Sequence, residues 1–142
     1  MKTMENHQII VADLTVRFRD VDAMGHVNNA VFLTYFEEGR SAFLARVLEI
    51  VDPSEYPFIL ARISCDYLRP LKLGDRIAIQ VWIGRVGKKS FVFKYRIVNR
   101  GDPDAIYAAG ESTMVLFDYK ENRTVPIGPA FLERVQAYCE EL

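Results

Sequence analysis

Two hydrophobic periods divide this chain, and each change of period marks the end of an element. In "DLTVRFR", Leu14, Val16 and Phe18 alternate with Thr15, Arg17 and Arg19. A period of two predicts a strand with one covered face. From Phe32 the spacing lengthens, and Phe32, Tyr35, Phe36, Gly39, Ala42, Phe43 and Val47 recur three and four residues apart. That spacing predicts a helix running to about Leu48, with Asn28 or Asn29 placed to cap its first turn. Gly39 interrupts the apolar stripe at a cost of roughly 1 kcal/mol relative to alanine, so a sheet is expected to press closely on the helix there.

After the proline-bounded "VDPSEYP", period two returns in four runs. The first spans Phe58 to Leu68 and ends at "RPLKLGD". "RIAIQVWIGRV" and "SFVFKYRIV" carry Ile77, Ile79, Val81 and Ile83 on one face and Phe91, Phe93, Tyr95 and Ile97 on the other's. With "GKK" between them they predict a hairpin. Ala105 to Asp118 reads as a long last strand rich in small residues, and Pro129 to Leu142 as a short closing helix. Strand, long helix and four strands in meander style give an α+β class, a five-stranded antiparallel sheet wrapped around one central helix. A sheet so arranged keeps an open edge, and pairing with a second copy satisfies it, so a homodimer or a dimer of dimers is expected.

Composition narrows the functions this frame can serve. With 142 residues, half of them hydrophobic, the chain suits one domain over residues 1–142. Its 18 basic and 19 acidic side chains leave a net charge of −1, too little positive field to hold nucleic acid or an anionic membrane. The start, "MKTMENHQII", does not read as a secretory leader, and no apolar run reaches the roughly 18 residues of a membrane span. A cytoplasmic protein is expected. Cys65 and Cys139 read as structural thiols, and with only His7 and His26 there is no metal-ligand cluster in the sequence.

The candidate chemistry lies where the first strand gives way to the helix. "FRDVDAMGHVNN" gathers Asp20, Asp22, Gly25, His26, Asn28 and Asn29 just ahead of the aromatic stripe. A tight turn at Gly25 lets the Asp22 carboxylate fold back over the first helical N–H groups. Those groups lack internal partners and carry the positive end of the helix dipole, which suits a developing oxyanion. His26 orients this loop, contacts substrate or serves as a base, and Asp22 on residue type alone reads first as a turn cap, as most loop aspartates do. Glu37, eight residues beyond Asn29, lies near the same helical face.

The segment from Arg17 to Arg40 resembles the signature of hotdog-fold acyl-CoA thioesterases of the 4-hydroxybenzoyl-CoA thioesterase type, D-x-D-x-x-G-H/I-V ahead of the central helix. "ISCDYLRPLKLGDRIAI" and "GKKSFVF" are similar to that family's second strand, proline turn and hairpin, so the likeness covers nearly the whole chain. It implies hydrolysis of an acyl-coenzyme A thioester at sites between paired subunits, with no cofactor beyond the coenzyme A of the substrate. It also implies Asp22 as the catalytic carboxylate, Asp20 as structural, and the N–H at Asn29 or its neighbour as the donor to the thioester carbonyl. Gly25, Asn28 and Glu37 are then candidates to touch substrate. For the coenzyme A phosphates the cations near strand ends are Arg62, Arg69, Lys72, Arg85, Lys88 and Lys89, with Lys88 and Lys89 preferred. Where some members carry Ile-Val-Trp/Tyr-His this chain has "HVNN", which is also similar to fatty acyl thioesterases.

Overall fold

The computed structural model describes residues 6–141. Its strands are β1 (Ile10–Thr15), β2 (Phe58–Tyr67), β3 (Arg76–Val86), β4 (Ser90–Asn99), β5 (Asp102–Asp118) and the two-residue β6 (Arg123–Thr124); its helices are α1 (Asn29–Val47) and α2 (Pro129–Val135). Every pairing between these strands is antiparallel, in the spatial order β1-β3-β4-β5-β2, with β6 added to β5. The α+β class and the single central helix are as the sequence predicts.

The meander holds only for β3-β4-β5. Between β1 and β2 the chain crosses the sheet in α1, so β2 arrives at the far edge against β5 and β1 pairs with β3. The β3–β4 hairpin turns through Gly87–Lys89, where the Gly87 N–H donates to the Ser90 carbonyl at 2.7 Å. The first strand also ends sooner than its alternation suggests. Phe18, expected on the covered face, is 80% exposed, because residues Phe18–Asp20 turn in a single 3₁₀ coil. Asp20 causes that turn: its carboxylate accepts from the Arg17 N–H at 3.1 Å, from Arg17 Nε at 3.2 Å and from the Tyr35 hydroxyl at 2.8 Å.

Helix and sheet meet as the glycine in the stripe implies. Phe32, Tyr35, Phe36 and Phe43 are all buried. A Cβ built on Gly39 would stand 2.6 Å from Val81 Cγ2 and 2.7 Å from Ile79 Cγ2. Gly110 on β5 gives the Phe36 ring its seat in the same way, with Phe36 stacked on Tyr95 at 4.5 Å.

The two sheet edges differ. On β1, arginine side chains cover backbone carbonyls: Arg46 donates to Val11 O at 2.7 Å and Arg100 to Leu14 O at 2.8 Å. Among the described residues no arginine is seen to cover β2 in this way, and Ile59, Leu60, Tyr67 and the adjoining Leu68 stand exposed along it. No helix among the described residues is long and apolar enough to cross a membrane.

Candidate active site

The loop between β1 and α1 folds on itself through its own backbone. The Asp22 N–H donates to the His26 carbonyl at 2.8 Å, and Asp22 Oδ1 accepts from the N–H groups of Met24 at 2.9 Å and His26 at 3.3 Å. Gly25 closes the turn at φ +80°, a conformation that side chains disfavour; a Cβ there would strike nothing, so backbone geometry is what asks for glycine. The loop is then pinned on two sides. Val27 N–H donates to Leu71 O at 2.8 Å, and Asn28 N–H to Asp20 O at 3.2 Å.

Asp20 is the buried anchor of this arrangement. Burial alone would raise its carboxyl, but the Arg17 N–H, the Tyr35 hydroxyl and the Arg17 side chain outweigh it and hold the group below the usual carboxylate range. Tyr35 responds oppositely: burial, then the adjacent Asp20 charge, pushes its hydroxyl far up, so it stays a proton donor. The two aspartates of the motif thus differ in burial, Asp20 inside and Asp22 exposed.

Asn28, not Asn29, is the N-cap, its Oδ1 accepting from Ala30 N–H at 2.9 Å. Val31 N–H donates to Asn28 O at 2.9 Å. The Asn29 N–H has no acceptor among the described residues, while Asn29 O accepts from the Tyr67 hydroxyl at 2.9 Å. A cavity of about 350 Å³ brings Asp22, His26 and Asn29 together, walled by Phe32, Tyr67 and Arg69. Asp22 Oδ2 likewise has no partner among the described residues. Asp22 and Asn29, the residues that carry this oxygen and this helix-terminal N–H, therefore line one concave space.

Other expected contacts lie elsewhere in the chain. Lys88 and Lys89 sit at the opposite end of the sheet, where Ser90 pairs with Val115, whereas Tyr67 beside Asn29 pairs with Ala108. The ten residues of β2 separate those ends by about 30 Å. Glu37 lines a second cavity between α1 and the Phe58 end of β2. Within one chain neither Glu37 nor the hairpin lysines meet Asp22. Arg69 does share its cavity, as does Tyr67, for which the sequence pattern offered only a place on a strand. The thiols read as inert: Cys139 is buried, which pushes it up to about 11, and Cys65 is half-buried and raised for the same reason. No group of three His, Cys, Asp or Glu side chains among the described residues could hold a metal ion.

A curved antiparallel sheet wrapped on one helix, with a carboxylate loop at the helix start, defines a hotdog-fold protein of thioesterase type. The chain belongs to the thioesterase-like superfamily, whose profile matches residues 16–135. A thioesterase from Thermus thermophilus, solved with coenzyme A and zinc, is 34% identical and superposes with a TM-score of 0.79 over 95% of this chain and 96% of its own. A predicted thioesterase from Bacillus stearothermophilus, 22% identical, shares the fold with a TM-score of 0.84 over 93% of this chain and 97% of its own. The putative acyl-CoA thioesterase YneP of Bacillus subtilis is 26% identical over 89% of this chain and 92% of its own length. The acyl-CoA thioester hydrolase YbgC of Escherichia coli O157:H7 is 29% identical over 59% of this chain and 65% of its own length, and the uncharacterized Bacillus subtilis protein YsmA is 31% identical over 63% and 62%.

Proposed function

We propose that the chain hydrolyses acyl-coenzyme A thioesters, with Asp22 as the catalytic carboxylate and the Asn29 N–H as the oxyanion donor. One observation carries this reading: Asp22 and Asn29, whose backbone N–H has no acceptor among the described residues, line the same cavity. The thioester carbonyl oxygen takes the N–H at the positive end of α1, where developing negative charge is stabilised. Asp22 then acts in one of two ways. Its oxygen attacks the carbonyl carbon, the C–S bond breaks, the thiolate leaves and takes a proton, and water cleaves the resulting anhydride; or it takes a proton from the water that attacks. Both routes release the free acid and the thiol. His26, whose ring has no hydrogen-bond partner among the described residues, lines the space and contacts substrate. Free Cys65 and Cys139 suit a reducing, cytoplasmic setting.

The open β2 edge supports a dimer built on it. Two copies that continue one sheet and keep α1 on the same face are related by a two-fold axis normal to the sheet, which makes the paired β2 strands antiparallel. The Tyr67 end of one β2 then lies beside the Phe58 end of the other. That brings Lys88 and Lys89 of one copy to the side of the dimer that holds Asp22 of the second, within the reach of an extended coenzyme A. Names borne by YneP and YbgC point to the same substrate class.

Thiol release from short, long and aromatic acyl-CoAs, with the acid identified by mass, tests the reading. Hydrolysis that drops at least 100-fold in Asp22→Ala is expected. Hydration of an enoyl-CoA without thiol release, or release unchanged in Asp22→Ala, contradicts it.

A further inference from the structure

The second cavity, about 340 Å³ between α1 and the Phe58 end of β2, holds a cation that the reaction as described leaves unused. Arg40 projects from the fourth turn of α1 with its side chain only 11% exposed. Of its five N–H donors, one meets the Tyr95 hydroxyl at 3.2 Å. Its counter-ion is slack. Glu37 Oε2 stands 3.8 Å away, beyond hydrogen-bonding distance, on a side chain that is 71% exposed. The Tyr95 hydroxyl is itself engaged by Ser112, and the guanidinium carbon stands over the Tyr95 ring at 6.0 Å from its centroid, a neutral partner that leaves room for an anion. Leu44, Phe58 and Met114 supply apolar wall, and Ser41, Tyr56 and Tyr119 are hydroxyl-bearing residues of the lining. Buried charges in folded proteins are paired, and a forked guanidinium in an apolar cleft suits a carboxylate.

We infer that this cavity seats the far end of the acyl group and that Arg40 binds a carboxylate carried there, so that the enzyme favours mono-CoA thioesters of dicarboxylic acids. The inference rests on the thioesterase reading. In the antiparallel pair, the cavity holding Arg40 in one copy adjoins the cavity holding Asp22 in the other, so that a thioester at Asp22 sends its acyl chain toward Arg40 of the second copy. Glu37 competes with the ligand for the guanidinium.

The test compares kcat/KM for carboxyl-ended and methyl-ended acyl-CoAs of equal length, in the wild type, Arg40→Gln, Arg40→Lys and Glu37→Gln. The wild type is expected to favour the carboxyl-ended series at least tenfold. Arg40→Gln should erase that preference through KM, leaving kcat and the methyl-ended series within threefold, and Glu37→Gln should enlarge it. Arg40→Lys keeps the charge without the fork and should lose at least threefold of the preference, which decides the matter if Arg40→Gln does not fold. Equal rates on both series in the wild type, or equal losses on both in the variants, overturn the assignment. A wild type active only on methyl-ended acyl-CoAs overturns the Arg40 role and leaves the thioesterase reading standing. Absence of thiol release from every acyl-CoA removes the thioesterase reading itself. Adipate added to Asp22→Asn protein then reads the subsite alone: a raised melting temperature, lost in Asp22→Asn/Arg40→Gln, upholds anion binding by Arg40, and no shift overturns it.

Discussion

Asp20 and Asp22 are two residues apart and chemically identical, yet their surroundings set opposite tasks. Asp20 is buried among the Arg17 N–H, the Arg17 guanidinium and the Tyr35 hydroxyl, which fix the ionised form. Because its folded-state pKa lies below the unfolded value of about 4, its contribution to stability is complete above that pH and is lost as the pH falls through the folded pKa. Asp20→Asn should therefore lower the unfolding free energy at pH 7 by about 1–3 kcal/mol and flatten its decline below pH 4, measured by urea denaturation across pH. An unchanged acid limb would show that Asp20 is not the anchor. The sequence put both aspartates at the helix entrance, but which one turns inward depends on Tyr35, fifteen residues away on the helix, and no local pattern encodes that contact.

At the scale of the element, α1 was legible almost throughout. Its stripe, its start at the asparagine pair and its close approach to the sheet at Gly39 all follow from side-chain spacing and size. Gly39→Ala should gain roughly 1 kcal/mol of helix propensity and lose about 1–3 to overpacking against Val81 and Ile79, for a net fall in stability by thermal unfolding. A stabilised variant would mean the sheet yields there. Asn28→Ala removes the cap on Ala30 N–H and should cost about 1 kcal/mol while frayed first-turn donors weaken catalysis. Period two was less sufficient for strands. It carried β1 past its end to Phe18, and it could not say that β2 pairs with β5 rather than β3, because pairing order is decided by where α1 returns the chain.

For the whole molecule, the proposed dimer is what would bring the cations and cavities at the two ends of β2 together, across a pair of chains. Ala61 offers a clean probe of that pairing. The β2–β5 register slips between Leu60 and Arg62, leaving Ala61 without a register partner on β5, so a proline there falls at a bulge, one of the few strand positions that accept it. Ala61→Pro should shift the protein from dimer to monomer in sedimentation and cut thiol release at least tenfold. A fully active monomer would place the whole site within one chain. Sequence pattern announced an open edge, but that the described arginines cover β1 and not β2 follows only from the packing of Arg46 and Arg100, which no local pattern encodes.

The central claim is that a free carboxylate at Asp22 and a free N–H at Asn29 act on one thioester, and Asp22→Asn tests it most directly. Asparagine keeps an oxygen to accept from Met24 and His26, so the loop turn survives while the charge and nucleophile are gone. With the melting temperature unchanged, kcat for acyl-CoA hydrolysis should fall by about 100-fold or more, in line with the 10²–10⁴ typical of a catalytic acid–base group. A loss smaller than tenfold would show that the chemistry is done by another residue.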